Sequence, residues 1–316
     1  MTDQIASLTT LTMNPALDQD LSFDEIVFDG KVRCRKIGRC AVGGGINVAR
    51  VMKHLGADPL AVFPSGGLSG LMLERLMAAE AVRYESFAIA DECRSNITAN
   101  ERKSGNQIRF VLPGPRLDEK EWTAGIELMT AASARGYAVA SGSLPRGVPL
   151  DFYARLADKL RLSSGAKLVL DTSGPPLKYA LDAGVHLVKL NLSEFADLIG
   201  EGTPDRATCH ASAKKLVTDG NAEIVVLTMG PDGAMLISRD VSLYAKAPPI
   251  GVRGAIGAGD AFLAVMVLWM AKGQRLDEAL RHAVAGGAAA ALPPDIAYRL
   301  PDPVAQLAPQ VHVETL

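Results

Sequence analysis

Three glycines and an aspartate stand directly before a long apolar segment near the carboxyl terminus, in the stretch RGAIGAGDAFLAVMVLWMA. The apolar part predicts a buried helix that begins near Ala261. The first N–H groups of a helix have no partner within the helix, and the helix dipole makes them attractive to an anion. We therefore predict an anion hole at Gly257, Ala258 and Gly259, with Asp260 within reach of a group that attacks or leaves the anion.

Other interpretations of this stretch are a helix cap and two common nucleotide-binding motifs. An aspartate is a frequent helix cap, but a cap does not require three glycines within six positions, whereas close approach of backbone to a phosphate does. The order GxxGxG follows APPIGVR, which is not the strand that a dinucleotide-binding GxGxxG needs. The chain also lacks the GxxxxGK[ST] loop. The pattern favours a phosphate cradle of a different kind.

Two further stretches combine polar side chains with glycine. MNPALD ends at Asp18, which the pattern places at the carboxyl end of the first predicted strand, where open α/β sheets bind ligands. GGGINVAR, residues 43–50, has three glycines followed by Asn47 and Arg50 on the first turns of a helix. Here too the backbone can lie against a ligand. A turn-capping aspartate and an ordinary loop before a helix remain as alternatives.

A basic stretch, GKVRCRKIGR, concentrates five cations within residues 30–39. In a strand, Lys31, Arg33 and Arg35 would share one face and could converge on one phosphate. A solvated edge strand is the alternative, because lysine is common at sheet edges.

Composition excludes several classes of protein. The chain has 316 residues, 48% of them hydrophobic, and a net charge of −2, so nothing general favours nucleic-acid or acidic-membrane binding. Its amino-terminal residues do not resemble a signal peptide, and its longest apolar run, 261–271, is about half of the ~20 residues that a membrane helix requires. The four cysteines and five histidines lack zinc-binding spacing. We expect a cytoplasmic protein with reduced thiols.

The elements that must position these residues alternate between strand and helix patterns. Predicted strands are 7–13, 59–64, 137–141, 167–171, 186–191 and 223–229. Predicted helices include 46–55, 71–80, 151–162 and 206–218, with apolar residues at helical spacing. This alternation predicts one α/β domain over 1–316, a three-layer α/β/α sandwich around a mostly parallel sheet.

Two segments, 19–42 and 94–112, break this rhythm. Both resemble short strands joined by turns, with DG and KSGN as the turn signals. We predict that they form one small β-lid, which includes Lys31, Arg33 and Arg94. Its outer face should be an interaction surface, because so small a sheet seldom stands alone.

Seven stretches of the chain together resemble one family. MNPALD, GKVRC, GGGINVAR, SGSLPRG, VKLNLSE, TMGPDGA and GAIGAGD occur in the order seen in the ribokinase-like, PfkB sugar kinases, over about residues 7–292. Each motif alone is weak, but seven in order are specific. The chain is most similar to the phosphosugar branch, which includes 6-phosphofructokinases of the minor type, tagatose-6-phosphate kinases and 1-phosphofructokinases. The resemblance implies a ribokinase-like fold.

The resemblance also implies an activity, the ATP-dependent phosphorylation of a primary hydroxyl with Asp260 as catalytic base. It favours conversion of fructose 6-phosphate to fructose 1,6-bisphosphate. Tagatose 6-phosphate or fructose 1-phosphate remains an alternative substrate, because these sugars differ only in one stereocentre or in phosphate position. A more remote alternative is an inactive sugar-phosphate-binding regulator, which the intact Asp260, GAG loop and Glu194 disfavour.

The same resemblance implies roles for further residues. The sugar would be held by Asp18, Gly43, Gly44, Asn47 and Ser143, and its phosphate by Lys31, Arg33 and Arg94. The ATP side would be formed by Lys189, Asn191, Thr228, Gly230 and Gly233. Magnesium would be bound by Glu194, largely through water, with Asp171 as an accessory carboxylate.

Cofactor and partner expectations follow from the resemblance as well. It implies ATP as co-substrate, Mg²⁺, and a homodimer in which the lid of one subunit can complete the site of the other. Pro293 and Pro294 occupy a stretch where relatives often carry an asparagine of a monovalent-cation site. This departure disfavours activation by potassium.

Overall fold

The computed structural model describes residues 6–133, 135–250, 257–292 and 302–316, and its strands form two separate sheets. The strands are β1 (Ser7–Leu11), β2 (Ala16–Phe23), β3 (Lys36–Val42), β4 (Leu60–Ser65), β5 (Arg83–Ala88), β6 (Arg94–Glu101), β7 (Gln107–Phe110), β8 (Gly136–Ser141), β9 (Lys167–Asp171), β10 (Val185–Asn191), β11 (Ala222–Thr228), β12 (Ala234–Ser238), β13 (Ser242–Lys246) and β14 (His312–Thr315). The α-helices of the described residues are α1 (Gly44–His54), α2 (Gly67–Ala79), α3 (Glu119–Ala132), α4 (Phe152–Ser163), α5 (Pro175–Ala183), α6 (Leu192–Ile199), α7 (Arg206–Thr218), α8 (Ala258–Ala271), α9 (Leu276–Ala291) and α10 (Pro303–Leu307).

The large sheet has ten strands in the order β14-β13-β12-β11-β10-β9-β8-β1-β4-β5. In this sheet, the neighbouring strands β5, β4, β1, β8, β9, β10 and β11 pair in parallel. The neighbouring strands β11, β12, β13 and β14 pair antiparallel. The predicted mostly parallel sheet is thus confirmed. The antiparallel edge was not predicted, because short strands such as β14 carry little apolar periodicity.

Hydrophobic clusters cover both faces of the large sheet, as a parallel sheet requires. Along β11, Val225 and Leu227 belong to one cluster, while Ile224 and Val226 belong to the other. Helices α3, α4, α5 and α7 contribute to the first cluster, and α8 and α9 contribute to the second. The expected three-layer arrangement is therefore confirmed.

The second sheet has four strands in the order β3-β2-β6-β7. Its central pair, β2 and β6, is parallel, and each outer strand is antiparallel to its neighbour. Helix α2 contacts β2 and β3 of this small sheet and also β4 and β5 of the large one. This four-stranded sheet is the lid in the description that follows.

The basic stretch does not adopt the predicted conformation. Residues 31–34 have no regular secondary structure, and β3 begins only at Lys36. Arg35 instead pairs with Asp24, with its Nε 2.8 Å from both carboxylate oxygens. The prediction that Lys31, Arg33 and Arg35 share one face of a strand is wrong, because the chain turns here before pairing with β2.

Helix α8 anchors the predicted anion hole. It begins at Ala258, about one turn earlier than predicted, because Gly257 caps it in a left-handed conformation (φ 80°). Ten of its residues are buried, and it packs between α1 and α9. An all-round apolar helix needs such a setting. Among the described residues, none of the helices is both long and apolar enough to cross a bilayer.

Candidate active site

A cleft of about 310 Å³ opens where several strands of the large sheet reach their carboxyl ends, next to the start of α8. Six residues predicted from the sequence line this cleft: Gly44, Ser143, Asp171, Lys189, Glu194 and Asp260. They come from five regions of the chain, which the parallel sheet brings to one edge. The cleft is also lined by Ser141 and Thr172, which the sequence analysis did not select.

Asp260 lies in the first turn of α8 and faces this cleft. Burial raises the pKa of its carboxyl group above the ordinary value, and the nearby charge of Asp171 raises it further. A hydrogen bond from Asn47 and the charge of Lys189 act in the opposite direction. A carboxylate with a raised pKa is a stronger base than a solvated one, as acid–base catalysis requires.

Asn47 forms a direct contact with this carboxylate. Its Nδ2 donates a hydrogen bond to Oδ2 of Asp260 over 2.8 Å. The resemblance implies that Asn47 holds the sugar, and in the structure its side chain reaches from α1 to the candidate base. One amide can still serve both, because Nδ2 carries two donor hydrogens.

The glycines at the start of α1 are required by close packing. A Cβ at Gly44 would lie 2.0 Å from Oγ of Ser141, and a Cβ at Gly43 (φ 151°) would lie 2.4 Å from Cγ2 of Thr12. The hydroxyl of Thr12 accepts a hydrogen bond from the N–H of Ile46 over 2.9 Å. The start of α1 is thereby held against β1 and β8, with Gly44 at the cleft wall.

Lys189 and Asp171 form a buried ion pair near the carboxyl ends of the neighbouring strands β10 and β9. The Nζ of Lys189 lies 3.1 Å from Oδ1 of Asp171, and the two side chains are 8% and 12% exposed. A Cβ on Gly259 would lie 3.0 Å from the same Nζ. The ammonium group thus lies against the backbone of the predicted anion hole, where it adds positive charge.

Asn191 and Glu194 cap helix α6 reciprocally. Oδ1 of Asn191 accepts a hydrogen bond from the N–H of Glu194 over 2.9 Å, and Oε2 of Glu194 accepts one from the N–H of Asn191 over 2.8 Å. The pattern is a capping box, so both residues have a structural role beside the predicted one.

The carboxylates of Glu194 and Asp171 line the same cleft. Magnesium usually takes one or two carboxylates and completes its shell with water and substrate phosphates. This donor set fits such an ion better than a closed site made only of protein ligands.

The remaining residues predicted for ATP lie at the end of β11. Thr228 pairs in register with Asn191, and its hydroxyl donates to the carbonyl of Leu190 over 3.3 Å. Gly230 and Gly233 flank a short 3-10 turn. A Cβ on Gly233 would lie 1.9 Å from the carbonyl oxygen of Ala245, so packing alone requires this glycine. These residues adjoin the cleft without lining it.

On the lid, Asp18 lies within β2 rather than after β1, so its predicted position at the end of the first core strand is wrong. Strand β1 ends at Leu11, and the chain then crosses to the lid. Asp18 accepts a hydrogen bond from Nδ2 of Asn96 over 2.8 Å and pairs with Arg109 over 3.1 Å. Asn96 and Arg109 were not predicted from the sequence, because only the pairing of β2, β6 and β7 brings them to Asp18.

Arg94 links the lid to the cleft. One of its terminal nitrogens donates to the carbonyl of Asn14 over 3.0 Å, and the amide of Asn14 donates to Oγ of Ser143 over 3.1 Å. Burial lowers the pKa of Arg94, while the charge of Asp18 raises it. Its Nε is buried and has no hydrogen-bond partner among the described residues. A buried donor without a partner favours an anionic ligand here.

Lys31 and Arg33 are not brought to the cleft. Both are exposed, and neither forms a hydrogen bond or ion pair with another residue in the described part of the chain. Part of the GAIGAGD stretch, residues 254–256, and the two prolines at 293 and 294 lie outside the described residues.

A cleft that combines carboxylates, an ammonium group and the start of a helix is suited to phosphoryl transfer, and comparison with known sequences assigns the family. The model of the pfkB family carbohydrate kinases matches residues 6–302, and the chain belongs to this family. It is therefore a sugar phosphotransferase, a kinase class that uses ATP and a divalent metal.

Several proteins that are similar to this chain are named phosphofructokinases. The chain is 39% identical over 291 residues to ATP-dependent 6-phosphofructokinase isozyme 2 of Mycobacterium tuberculosis (strain H37Rv), covering 92% of this chain and 85% of that protein. It is 27% identical to 1-phosphofructokinase of Bacillus subtilis (strain 168), covering 97% and 99% of the two chains. The structure of phosphofructokinase-2 from Escherichia coli in complex with fructose-6-phosphate matches with a TM-score of 0.86 and 33% identity, covering 96% of this chain and 99% of that one. The same enzyme in complex with potassium matches with a TM-score of 0.90.

Proposed function

We propose that the protein transfers the γ-phosphoryl group of ATP to the 1-hydroxyl of fructose 6-phosphate, which yields fructose 1,6-bisphosphate and ADP. One observation carries this proposal: the cleft that contains Asp260 and Lys189 adjoins lid arginines that lie close to Asp18. A base beside an anion hole suits phosphoryl transfer, and arginines next to the cleft suit a substrate that already bears a phosphate.

Asp260 is the catalytic base of the proposed reaction. Its carboxylate accepts the proton of the sugar hydroxyl as the oxygen attacks phosphorus, while Asn47 holds the carboxylate in place. Transfer of a phosphoryl group depends mainly on positioning and charge stabilisation, so one base and a fixed geometry suffice on the protein side.

The negative charge of the moving phosphoryl group is stabilised by the start of α8. The N–H group of Gly257 lies directly before α8 and those of Ala258 and Gly259 lie in its first turn, and the ammonium group of Lys189 lies next to Gly259. Such fixed donors need no rearrangement during the reaction.

Magnesium would be held by Glu194, largely through water, with Asp171 as accessory carboxylate. When bound, the ion would neutralise charge on the phosphates of ATP. Asn191 and Thr228 would lie on the nucleotide side of this carboxylate pair, with Gly230 and Gly233 shaping the turn beyond them.

The lid recognises the sugar phosphate. Asp18 accepts hydrogen bonds from sugar hydroxyls while Asn96 and Arg109 fix its two oxygens. Arg94, whose Nε has no partner among the described residues, binds the phosphate group.

We also propose a homodimer in which the lids of two copies pair. The lid and the segments next to its strands expose apolar side chains, among them Ile37 in β3 at 60%, Phe28 between β2 and β3 at 86%, and Val111 after β7 at 61%. Exposed apolar surface of this extent favours a protein partner. Lys31 and Arg33, which form no hydrogen bond or ion pair with the described residues of their own chain, would then reach the phosphate site of the partner.

The test is a coupled assay of ADP release with MgATP. It compares kcat/KM for fructose 6-phosphate, tagatose 6-phosphate, fructose 1-phosphate and unphosphorylated fructose, with and without potassium. We expect a preference of at least about tenfold, or ~1.4 kcal/mol, for fructose 6-phosphate. The Arg94→Gln variant should lose most of the preference for phosphorylated over unphosphorylated sugar.

Three results would contradict the proposal in different ways. A preference for fructose 1-phosphate would place the chain with its Bacillus subtilis relative. A preference for unphosphorylated sugar would remove the phosphate role of the lid arginines. Binding of sugar phosphate without any ADP release would mark an inactive regulator.

A further inference from the structure

The amide of Asn47 can face Asp260 correctly in only one of its two orientations. A carboxylate accepts hydrogen bonds, so the Nδ2 donor and not the Oδ1 acceptor must face it. The 2.8 Å contact from Nδ2 to Oδ2 of Asp260 fulfils this condition. A 180° rotation of the amide would place Oδ1 of Asn47 next to Oδ2 of Asp260, and the two oxygens would repel each other.

Arg50, one turn further along α1, selects this orientation. Its Nη1 donates a hydrogen bond to Oδ1 of Asn47 over 3.0 Å. A guanidinium group has no acceptor, so the atom facing it must be the amide oxygen. The donors and acceptors therefore run in one direction, from Arg50 through Asn47 to Asp260.

The guanidinium is itself held on two other sides. Its Nη2 donates to the carbonyl oxygen of Ala41 on lid strand β3 over 2.7 Å and to Oε1 of Glu80 over 3.2 Å. Its Nε donates to the other carboxylate oxygen of Glu80, which follows α2 directly. The side chains of Arg50 and Glu80 are 31% and 33% exposed, so the anchoring pair lies at the rim and not in the cleft.

We propose that Arg50, oriented by Glu80, is a positioning residue for the catalytic base, acting through Asn47. It also ties this base to lid strand β3 through Ala41. The inference rests on the proposed role of Asp260 in sugar phosphorylation. Neither Arg50 nor Glu80 lines the cleft, and the two act by fixing a neighbour that contacts the base.

Arg50→Lys is the principal test. A lysine keeps the positive charge, but one ammonium group cannot reproduce the rigid fork that contacts Asn47, Ala41 and Glu80 together. We expect kcat/KM for the sugar phosphate to fall about tenfold with KM for MgATP unchanged within about twofold. In the Asn47→Ala background the same substitution should add less than about twofold, because residues that act through one another are not additive.

Two further variants make the test specific. Glu80→Gln removes one charge of the Arg50–Glu80 pair at the rim and should lower kcat/KM about threefold. If Arg50→Lys does not fold, Glu80→Gln replaces it as the test of the positioning role. Arg83→Lys is the matched control, since Arg83 pairs with Asp58 over 2.8 Å at the amino-terminal end of β5, away from the cleft. Its kcat/KM should equal that of the unaltered protein.

A second measurement does not depend on turnover. The side-chain amide NMR signals of Asn47, assigned by their loss in Asn47→Ala, should shift in Arg50→Lys and remain unchanged in Arg83→Lys. Unchanged signals, or an equal loss of kcat/KM in the presence and absence of Asn47, would overturn the positioning role. Shifted signals in a protein that phosphorylates none of the sugars would instead refute the proposed function and leave the positioning role supported.

Discussion

The ammonium group of Lys189 lies 3.1 Å from one carboxylate oxygen of Asp171 and 3.2 Å from the other, with both side chains almost fully buried. Asp171 is the last residue of β9, and Lys189 lies two residues before the end of the neighbouring strand β10. Burying either charge alone would be costly, whereas each compensates the other. The pair thus keeps a positive charge at the base of the phosphate site without an unpaired ion.

Lys189→Met should destabilise the fold and abolish most activity. It leaves the carboxylate of Asp171 buried without its partner, for which a loss of about 3–5 kcal/mol in unfolding free energy is typical. Adding Asp171→Asn removes that charge and should restore much of the stability but not the activity. Urea unfolding and ADP release, measured on both variants, check this. Full activity in the double variant would show that the phosphoryl group does not need this ammonium group.

Asp260→Asn should abolish turnover while ATP still binds. Loss of a general base costs about 10²- to 10⁴-fold in rate, and the substitution is nearly isosteric. The residual kcat measures the loss of catalysis, and calorimetry measures the affinity for ATP. Near-normal kcat would remove Asp260 from the role of base.

Activity should decline on acidification at a higher pH than for a solvated aspartate. Burial raises the pKa of Asp260, and the base works only when ionised. The Asn47 hydrogen bond lowers this pKa, so the acid limb of kcat/KM should move to still higher pH in Asn47→Ala. A pH profile of both proteins is the measurement. If the acid limb of kcat/KM lies at the same pH in both proteins, the Asn47 hydrogen bond does not lower the pKa of the base.

The same pKa shift predicts a cost in stability. The pKa of Asp260 is higher in the folded protein than in the unfolded protein, so folding favours the protonated carboxyl group. The stability that this provides is fully present below the unfolded-state pKa and is lost as pH rises through the folded-state pKa. Asp260→Asn cannot ionise and should therefore have a higher unfolding free energy at pH 7. The difference should shrink in acid. Denaturant unfolding of both proteins at pH 7 and in acid tests this. A variant that is less stable than the unaltered protein at pH 7 would contradict it.

Gly44→Ala should disrupt the cleft wall. The added Cβ would lie 2.0 Å from Oγ of Ser141, and overpacking of this kind costs about 1–3 kcal/mol. We expect loss of activity together with a lower unfolding midpoint. The matched control is Gly202→Ala, where a Cβ meets nothing within 4 Å. Equal effects at both glycines would show that the contact with Ser141 is unimportant.

Much of the fold was predictable because its signals are local. The apolar runs of β9 and β10 and the periodicity of α7 predicted elements whose bounds agree with the structure to within one residue. The start of α8 was misplaced because a left-handed glycine, Gly257, is compatible with either a loop or a cap. The lid conformation around Lys31 and Arg33 was mispredicted because a basic stretch has the same alternation whether or not a neighbour pairs with it.

The sequence by itself determined which residue types were available and, through glycine stretches and strand ends, which edge of the sheet would hold them. Only the tertiary structure decided which side chains meet. Asn47 and Asp260 are 213 positions apart, and Asp18 meets Arg109 only because β2, β6 and β7 pair in one register. Such contacts depend on how helices and strands pack, and no local pattern specifies the partner of a polar side chain.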